Sequence, residues 1–450
     1  MNDATPIQPP RARNGFVSFL DSPRTAVLVA LLVRIVVLAS SVRFADYHRH
    51  HYHSQGFEAV VLTFALAGGH GYSFPFPNFI PTAWLAPLYV WVLTLGNLLF
   101  PRNGNMVILF GQVVNILCSA LTCYPIFELG RKAAGRTTGL IAGWVWAFLP
   151  VAVLMPIAYT WDQSLAALLL AQLFVLGYAL AESPSLWLWC GYGALWGIAA
   201  MTNPSLFLLS PCFAVWLYVS RHKSHLPALK PLGISVLAGV LVLLPWTVRN
   251  WHQLGGFTFV KSNFGVELWL GNNPQVQEVW SPQRNPLGDN RELDHLVTVG
   301  ELKYNHEKQA EAISFIKAQP ATFVRHSLLC FLDIWTDYFD SREDFFIQPS
   351  GLRSLYIAFC ALFSLAAWAG MIVLVRKDWL RWSPLACAVL LYPLPYYVTH
   401  SSQRYRHPID PILTVLAVVG VSWVWSRPGT SSGSQEAVES EWKTSAVLKG

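Results

Sequence analysis

Residues 84–101 read WLAPLYVWVLTLGNLLFP, and whether this apolar run crosses a bilayer decides on which side everything after it lies. Ten other runs approach the roughly 20 residues needed to span hydrocarbon. They fall at 25–42, 105–127, 137–156, 163–181, 186–201, 204–220, 231–247, 352–375, 383–399 and 411–426. Positive charge decides between the two parities, because short cytoplasmic loops collect Lys and Arg. If 84–101 lies along the membrane, the short cytoplasmic loops hold Arg131, Lys132, Arg136, Arg221, Lys223, Lys230, Arg376, Lys377 and Arg381. The opposing turns at 156–163 and 201–204 then hold no basic residue. If 84–101 crossed, all those cations would lie outside. We therefore read it as an interfacial or re-entrant helix opened by Pro81 and stopped by Pro101.

Composition agrees with a membrane chain. Of 450 residues, 54% are apolar and only 12% charged, with a mean hydropathy of +0.39. Soluble domains carry about 25% charged residues. So few charges cannot clothe a soluble globule of this length or sustain a disordered chain. Nor do Lys and Arg gather into a nucleic-acid patch. The 20 Trp and 16 Tyr suit bilayer interfaces. Seven Cys, at 118, 123, 190, 212, 330, 360 and 387, form no CxxC pair and read as small buried apolar residues. The first run, following Arg11, Arg13 and Arg24 without a small-residue cleavage motif, reads as a retained signal anchor.

The expected fold is an all-α polytopic membrane protein of about ten transmembrane helices, with both termini cytoplasmic. A tail, 1–24, precedes a transmembrane module, 25–247, whose first outer loop is 43–104. An extracytoplasmic segment, 248–351, a second module, 352–426, and a disordered tail, 427–450, follow. Within the outer segment a helix is expected over 291–319. An amphipathic piece, 321–339, carries Arg325, His326, Asp333 and Asp337 and is expected on the outer surface.

The first outer loop begins RFADYHRHHYHSQGFEAVVLTFALAGGHGYSFPFPNFIPTA, residues 43–83. Glu58 opens a helical pattern ending at Gly68-Gly69, and a carboxylate there is favoured by the helix dipole. Burial would raise its pKa toward that of a useful base; the alternative is a solvated capping residue. Asp46, next to the first span, is the other acid of this loop. Asp162, in the turn YTWDQS, is the one charged residue between Arg136 and Glu182 and reads either as a site acid or as a helix cap. The histidines at 48, 50, 51 and 53 have metal-like spacing, but no second cluster supplies further ligands, so no metal and no cofactor is assigned.

The last outer loop, THSSQRYRHPIDP (399–411), carries Arg404, Arg406 and His407 on the side where short loops otherwise lack positive charge. Guanidinium groups at an interface suit a phosphate, and Arg249 and Lys261 are placed to join them; lipid headgroup anchoring is the alternative. Arg34, inside the first span, calls for a buried partner or snorkelling. Acids in the first loop and cations in the last are what transfer from a lipid phosphate to an acceptor hydroxyl requires. A lipid-linked sugar transporter would instead place its ionisable groups near midplane.

GFEAVVLTFALAGGHGYSFPF, PTAWLAPLYVWVL, LTCYPIFELGRKAAGRTTGLIAGWVWAFLP, YTWDQS, GIAAMTNPSLFLL, PWTVRN, SNFGVELWLGNNP and QRYRHPIDP together resemble bacterial glycosyltransferase family 39 membrane proteins of the GT-C superfamily. That group is similar to protein O-mannosyltransferases and the lipid A aminoarabinose transferase. The resemblance covers roughly residues 25–426. It implies a GT-C bundle in the bacterial inner membrane, interfacial helices in the first outer loop, a polyprenyl-phosphate-linked sugar donor, and a lipid, glycan or protein acceptor. It also implies inversion on the outer face, with an acid of the first loop as base. By position Glu58 is that acid and Asp162 a second one. Phe57 stands where many members carry the Asp of an Asp-Glu pair, which keeps Asp46 beside Glu58 as a candidate base.

Overall fold

The computed structural model describes residues 21–43, 56–74, 78–101, 103–276, 286, 289–338 and 350–426. Asp46, the four clustered histidines and the expected tail from Arg427 lie outside the described residues. The chain runs α1 (Pro23–Arg43), α2 (Phe57–Ala67), a hairpin of β1 (Ser73–Phe74) and β2 (Ile80–Pro81), then α3 (Pro87–Leu99), α4 (Gly104–Leu121) and α5 (Cys123–Ala134). It continues as α6 (Arg136–Phe148), α7 (Pro150–Ala158), α8 (Gln163–Leu180), α9 (Leu186–Thr202), a 3-10 turn (Pro204–Leu209), α10 (Ser210–Lys223) and α11 (Leu229–Leu254). A polar segment follows with α12 (Phe264–Gly271), α13 (Asn290–Val299), α14 (Glu301–Ala318) and α15 (Pro320–Thr336). The chain closes with α16 (Ser350–Lys377), α17 (Trp379–Leu391), α18 (Leu394–Val398), α19 (Gln403–Arg406), a 3-10 turn (His407–Ile409) and α20 (Asp410–Trp425).

All ten apolar runs are helical, but length and apolarity alone qualify six helices as spans among the described residues, or seven if the bent pair α6–α7 counts as one. The other runs are shorter or interrupted: α9 stops before Pro204, a 3-10 turn precedes α10, and Pro393 divides α17 from α18. α3 has 13 residues, about 20 Å at 1.5 Å per residue, short of the ~30 Å hydrocarbon core. Its start is Pro87, not Pro81, because residues 80–81 pair with 73–74 and Pro87 supplies the fixed φ suited to a first helical position. That hairpin departs from the all-α expectation. The helix expected over 291–319 is two, since Gly300 at φ 87° breaks it. α15 is amphipathic as read, yet His326 and Asp333 are buried. Asp333 accepts from Ser401 Oγ at 2.8 Å and the His326 ring reaches the Thr399 carbonyl at 3.3 Å, so the polar face turns onto the 397–406 segment.

Two large packed cores result, beside a small cluster of Leu38, Ile116 and Ile157. One, from α1, α5–α10, α16, α17 and α20, fills the bundle; the other joins α2, α3 and the start of α4 to the end of α11, to α12 and to α13–α14. The second core ties the first loop to the polar segment.

Arg34 shows how the bundle tolerates a charge. The α6–α7 pair bends by 44°, and Pro150 and Pro156 lack the N–H groups that the carbonyls of Trp146 and Ala152 would take four residues on. The Arg34 guanidinium donates to Trp146 O, Ala147 O and Ala152 O at 3.1 Å and to Ser119 Oγ at 3.0 Å. Its partners are therefore neutral oxygens, among them the Trp146 and Ala152 carbonyls that the prolines deprive of a helical donor, and a carbonyl without any donor in hydrocarbon would cost several kcal/mol. Arg34→Met should destabilise the purified protein by about 2–4 kcal/mol, read as a lowered melting temperature in detergent, and Arg34→Lys should recover part of it. An unchanged melting temperature in Arg34→Met would overturn this role.

Candidate functional site

Four segments converge at one end of the bundle. The turn between α7 and α8 brings Thr160, Trp161 and Asp162; the loop after α11 brings Lys261; α12 brings Glu267; and residues 399–407 bring His400 and Arg404. The first loop reaches the same place through Gly56. At φ 100° it sits so close to the Thr160 carbonyl that a side chain would collide, which sets the N-terminus of α2, and with it Glu58, against the 160–162 turn. Glu58 is half-buried in the first turn of that helix.

Asp162 stands at the start of α8, but its side chain makes no capping hydrogen bond. Burial raises its carboxyl above the ordinary value, and the charges of Lys261 and Arg404, together with Asn203, partly oppose that rise. The same two cations act on Glu267. There burial alone would push upward, yet the hydrogen bond and charge of His400, with Lys261 and Arg404 beyond, bring the Glu267 carboxyl down to about 2. His400 Nε2 meets Glu267 Oε2 at 2.6 Å, while Asn263 Nδ2 donates to Oε1 at 2.6 Å. Arg404 lies between two rings, 5.2 Å from the centroid of Trp161 and 5.1 Å from that of Tyr405, and donates to the Tyr405 hydroxyl at 3.2 Å. Tyr405 in turn stacks on Tyr396 at 4.6 Å. Two carboxylates and two cations thus share a partly desolvated space, where charge contacts are stronger than in water.

Three nominated cations are held elsewhere, and we correct them. Arg406 is buried and paired with Asp410 at 2.9 Å, donating also to Ile334 O at 3.0 Å and to Ser364 Oγ at 3.3 Å. His407, fully buried, turns Nδ1 to Asp410 at 3.3 Å and stacks on Trp146 at 5.7 Å. These two anchor the start of the last span through protein partners. Arg249, over the rings of Tyr72 and Trp246 at 5.6 and 5.0 Å, donates to the carbonyls of Thr82 and Tyr72 and so clamps the first-loop hairpin.

Sequence reading missed Glu267, His400 and Trp161. A lone acid in the apolar stretch SNFGVELWLG was the available signal for Glu267; His400 stood within the quoted loop without being singled out. Trp161 carried none, since its role comes from where Arg404 folds over it.

Residues 85–248 match the family model described as dolichyl-phosphate-mannose-protein mannosyltransferase. No curated protein matches the sequence. The oligosaccharyltransferase of Archaeoglobus fulgidus, solved in complex with zinc and sulfate, superposes with a TM-score of 0.51 at 12% identity, covering 90% of this chain and 49% of its own. The oligosaccharyltransferase AglB from Archaeoglobus fulgidus, in complex with an inhibitory peptide and a dolichol-phosphate, gives a TM-score of 0.51 at 13% identity over 91% of this chain and 50% of its own. ArnT from Cupriavidus metallidurans bound to undecaprenyl phosphate gives 0.38 at 11% identity, over 81% of this chain and 72% of its own. The chain spans about half the length of the archaeal structures it matches. The class is thereby defined: an integral membrane protein with several apolar spanning helices and the GT-C fold. More particularly, its 85–248 region carries the pattern of the dolichyl-phosphate-mannose-protein mannosyltransferase family model. Among the described residues no three His, Cys, Asp or Glu side chains gather as a metal site would require.

The Glu267–His400 pair yields a pH prediction. A carboxyl held near 2 against an ordinary 4.5 gives stability that is present above 4.5 and lost as pH falls toward 2. The melting-temperature difference between wild type and His400→Ala should therefore be largest above that window and shrink through it. A difference constant across the window would mean that the pair does not depress Glu267.

Proposed function

We propose that this protein transfers a sugar from a polyprenyl-phosphate donor to an acceptor hydroxyl on the outward face of the membrane, with inversion. The observation that carries the reading is the meeting of Asp162 and Glu267 with Lys261 and Arg404 at the end of the bundle where the first loop packs. The family match over 85–248 and the GT-C fold support it, as do the lipid phosphates named in the AglB and ArnT structures.

In this reading the acceptor oxygen attacks the anomeric carbon on the face opposite the phosphate. The new glycosidic bond forms as the bond from that carbon to the phosphate oxygen breaks, and its electron pair leaves with the polyprenyl phosphate. Lys261 and Arg404 hold that departing negative charge. Arg404 is suited to the task because its guanidinium is fixed in orientation by Trp161 and Tyr405. The acceptor's proton passes to a carboxylate, for which Glu58, at the helix start pressed against the 160–162 turn, is the assigned base. Asp162 is the second acid of the site, its carboxyl raised by burial and drawn partly back by the two cations. Asp46 remains a competing base in the same loop. The acceptor is a lipid, a glycan or a protein.

The test is incubation of membranes containing the protein with undecaprenyl-phosphate mannose and other undecaprenyl-phosphate sugars carrying a radiolabel. Label should appear in a new, chemically distinct product. Label that only crosses the bilayer on its original lipid would mean transport and would sink the reading. Glu58→Gln should lower transfer by about 10²–10⁴-fold, the usual worth of a general base, with folding retained; turnover lost in Asp46→Asn and kept in Glu58→Gln would move the base to Asp46. Removing a neighbouring cation raises a carboxyl's pKa, so Lys261→Met should move the acid limb of the pH–rate profile to higher pH through Asp162.

A further inference from the structure

Lys261 stands on a short loop with no regular structure of its own, between the end of α11 and the start of α12. Its neighbour Ser262 is nonetheless held twice. The Ser262 amide donates to the Ala83 carbonyl at 3.0 Å, and its hydroxyl donates to Glu301 Oε1 at 2.6 Å. Glu301, buried in the first turn of α14, also accepts from the Ala83 amide at 2.8 Å and from the Thr82 hydroxyl. One carboxylate therefore serves donors from two segments far apart in sequence, the first-loop hairpin and the Lys261 loop. Arg249 grips the hairpin as well, through the Thr82 carbonyl at 2.6 Å. The flanks are fixed too: Trp246 Nε1 donates to Val260 O at 2.9 Å, and Asn263 binds Glu267.

A carboxylate that is buried and fully engaged by donors is a strong local constraint, since losing any one of those bonds leaves an uncompensated polar group. We infer that Glu301 is a positioning residue for the phosphate site: through Ser262 it fixes where the Lys261 ammonium stands, and through Thr82 and Ala83 it ties that position to the first loop. This rests on the reading of Lys261 and Arg404 as the residues that hold a lipid phosphate. Glu301 does not touch the phosphate. Its effect on binding passes entirely through the loop it holds.

The contacts of Glu301 to the two segments are removed by different mutations. Ser262→Ala removes the bond from Glu301 to the Lys261 loop, leaving the Ser262 amide on Ala83; Thr82→Val removes one of the two hairpin bonds to Glu301, leaving that of the Ala83 amide. The measurement is the dissociation constant of undecaprenyl phosphate for the purified full chain in lipid nanodiscs, with melting temperature recorded for each variant. Lys261→Met should weaken binding about tenfold, the usual scale for one charge-assisted contact, and Ser262→Ala and Glu301→Gln should each weaken it about three- to tenfold. Thr82→Val should leave the constant unchanged even where it lowers the melting temperature. In the Lys261→Met background neither Ser262→Ala nor Glu301→Gln should weaken binding further, because their effect acts through the missing ammonium.

If Lys261→Met weakens binding while Ser262→Ala leaves it unchanged, or if their losses add in full, the positioning role of Glu301 is wrong and the phosphate-site reading stands. If Lys261→Met and Arg404→Gln both bind as wild type does, the phosphate-site reading fails and the inference goes with it. Should Glu301→Gln fail to fold, Ser262→Ala and its double variant with Lys261→Met decide the matter alone.

Discussion

Glu301 and Arg249 take hold of the same residue. The carboxylate binds the Thr82 hydroxyl and the amide beside it, while the guanidinium binds the Thr82 carbonyl. Through this double grip the first loop becomes part of a packed core shared with α12–α14 instead of a connection lying loose on the membrane. Everything placed at that end of the bundle depends on it. α2 can press Gly56 onto Thr160 only because the hairpin that follows is anchored, and the Lys261 loop is held by the same carboxylate.

The spanning part of the molecule follows a related rule. In hydrocarbon each backbone carbonyl needs a donor, and the prolines that break α6–α7 remove donors. Arg34 supplies them, so a residue that hydropathy alone flags as out of place turns out to be what permits the break. Arg406 does the equivalent at the entry to α20, where it neutralises Asp410 and ties the last span to α15 and α16. A guanidinium is suited to both tasks, because several donors leave one planar group and no proton need be lost.

Much of the architecture was legible because it rests on periodicity and on the distribution of charge. The ten apolar runs are helices, α2 begins at Phe57 as the pattern from Glu58 indicated, and α3 is short. What was not legible depended on partners distant in sequence. Nothing in QRYRHPIDP distinguishes Arg404 from Arg406, two residues apart on one helical turn. The distinction arises because Arg406 points inward to Asp410 and the carbonyl of Ile334, whereas Arg404 folds over Trp161. Arg249 misled for the same reason: PWTVRN gives a cation beside the membrane, and only the return of residues 72–82 shows what it binds. Gly300 shows a local limit too, since helical periodicity runs on through a glycine that takes a positive φ.

These assignments change what the excess of positive charge at this end of the bundle means. Arg249 is committed to backbone carbonyls, and Arg406 and His407 to Asp410. Each would be expensive to redirect, because moving it leaves buried polar groups without partners. Lys261 and Arg404 are different in kind. They act on Asp162 and Glu267 across space, and Arg404 lies over the faces of Trp161 and Tyr405 and donates to the Tyr405 hydroxyl. Aromatic faces orient a guanidinium by its plane and not through an opposing charge. A site for an anionic leaving group needs that combination, a cation fixed in place by something other than the anion it will meet.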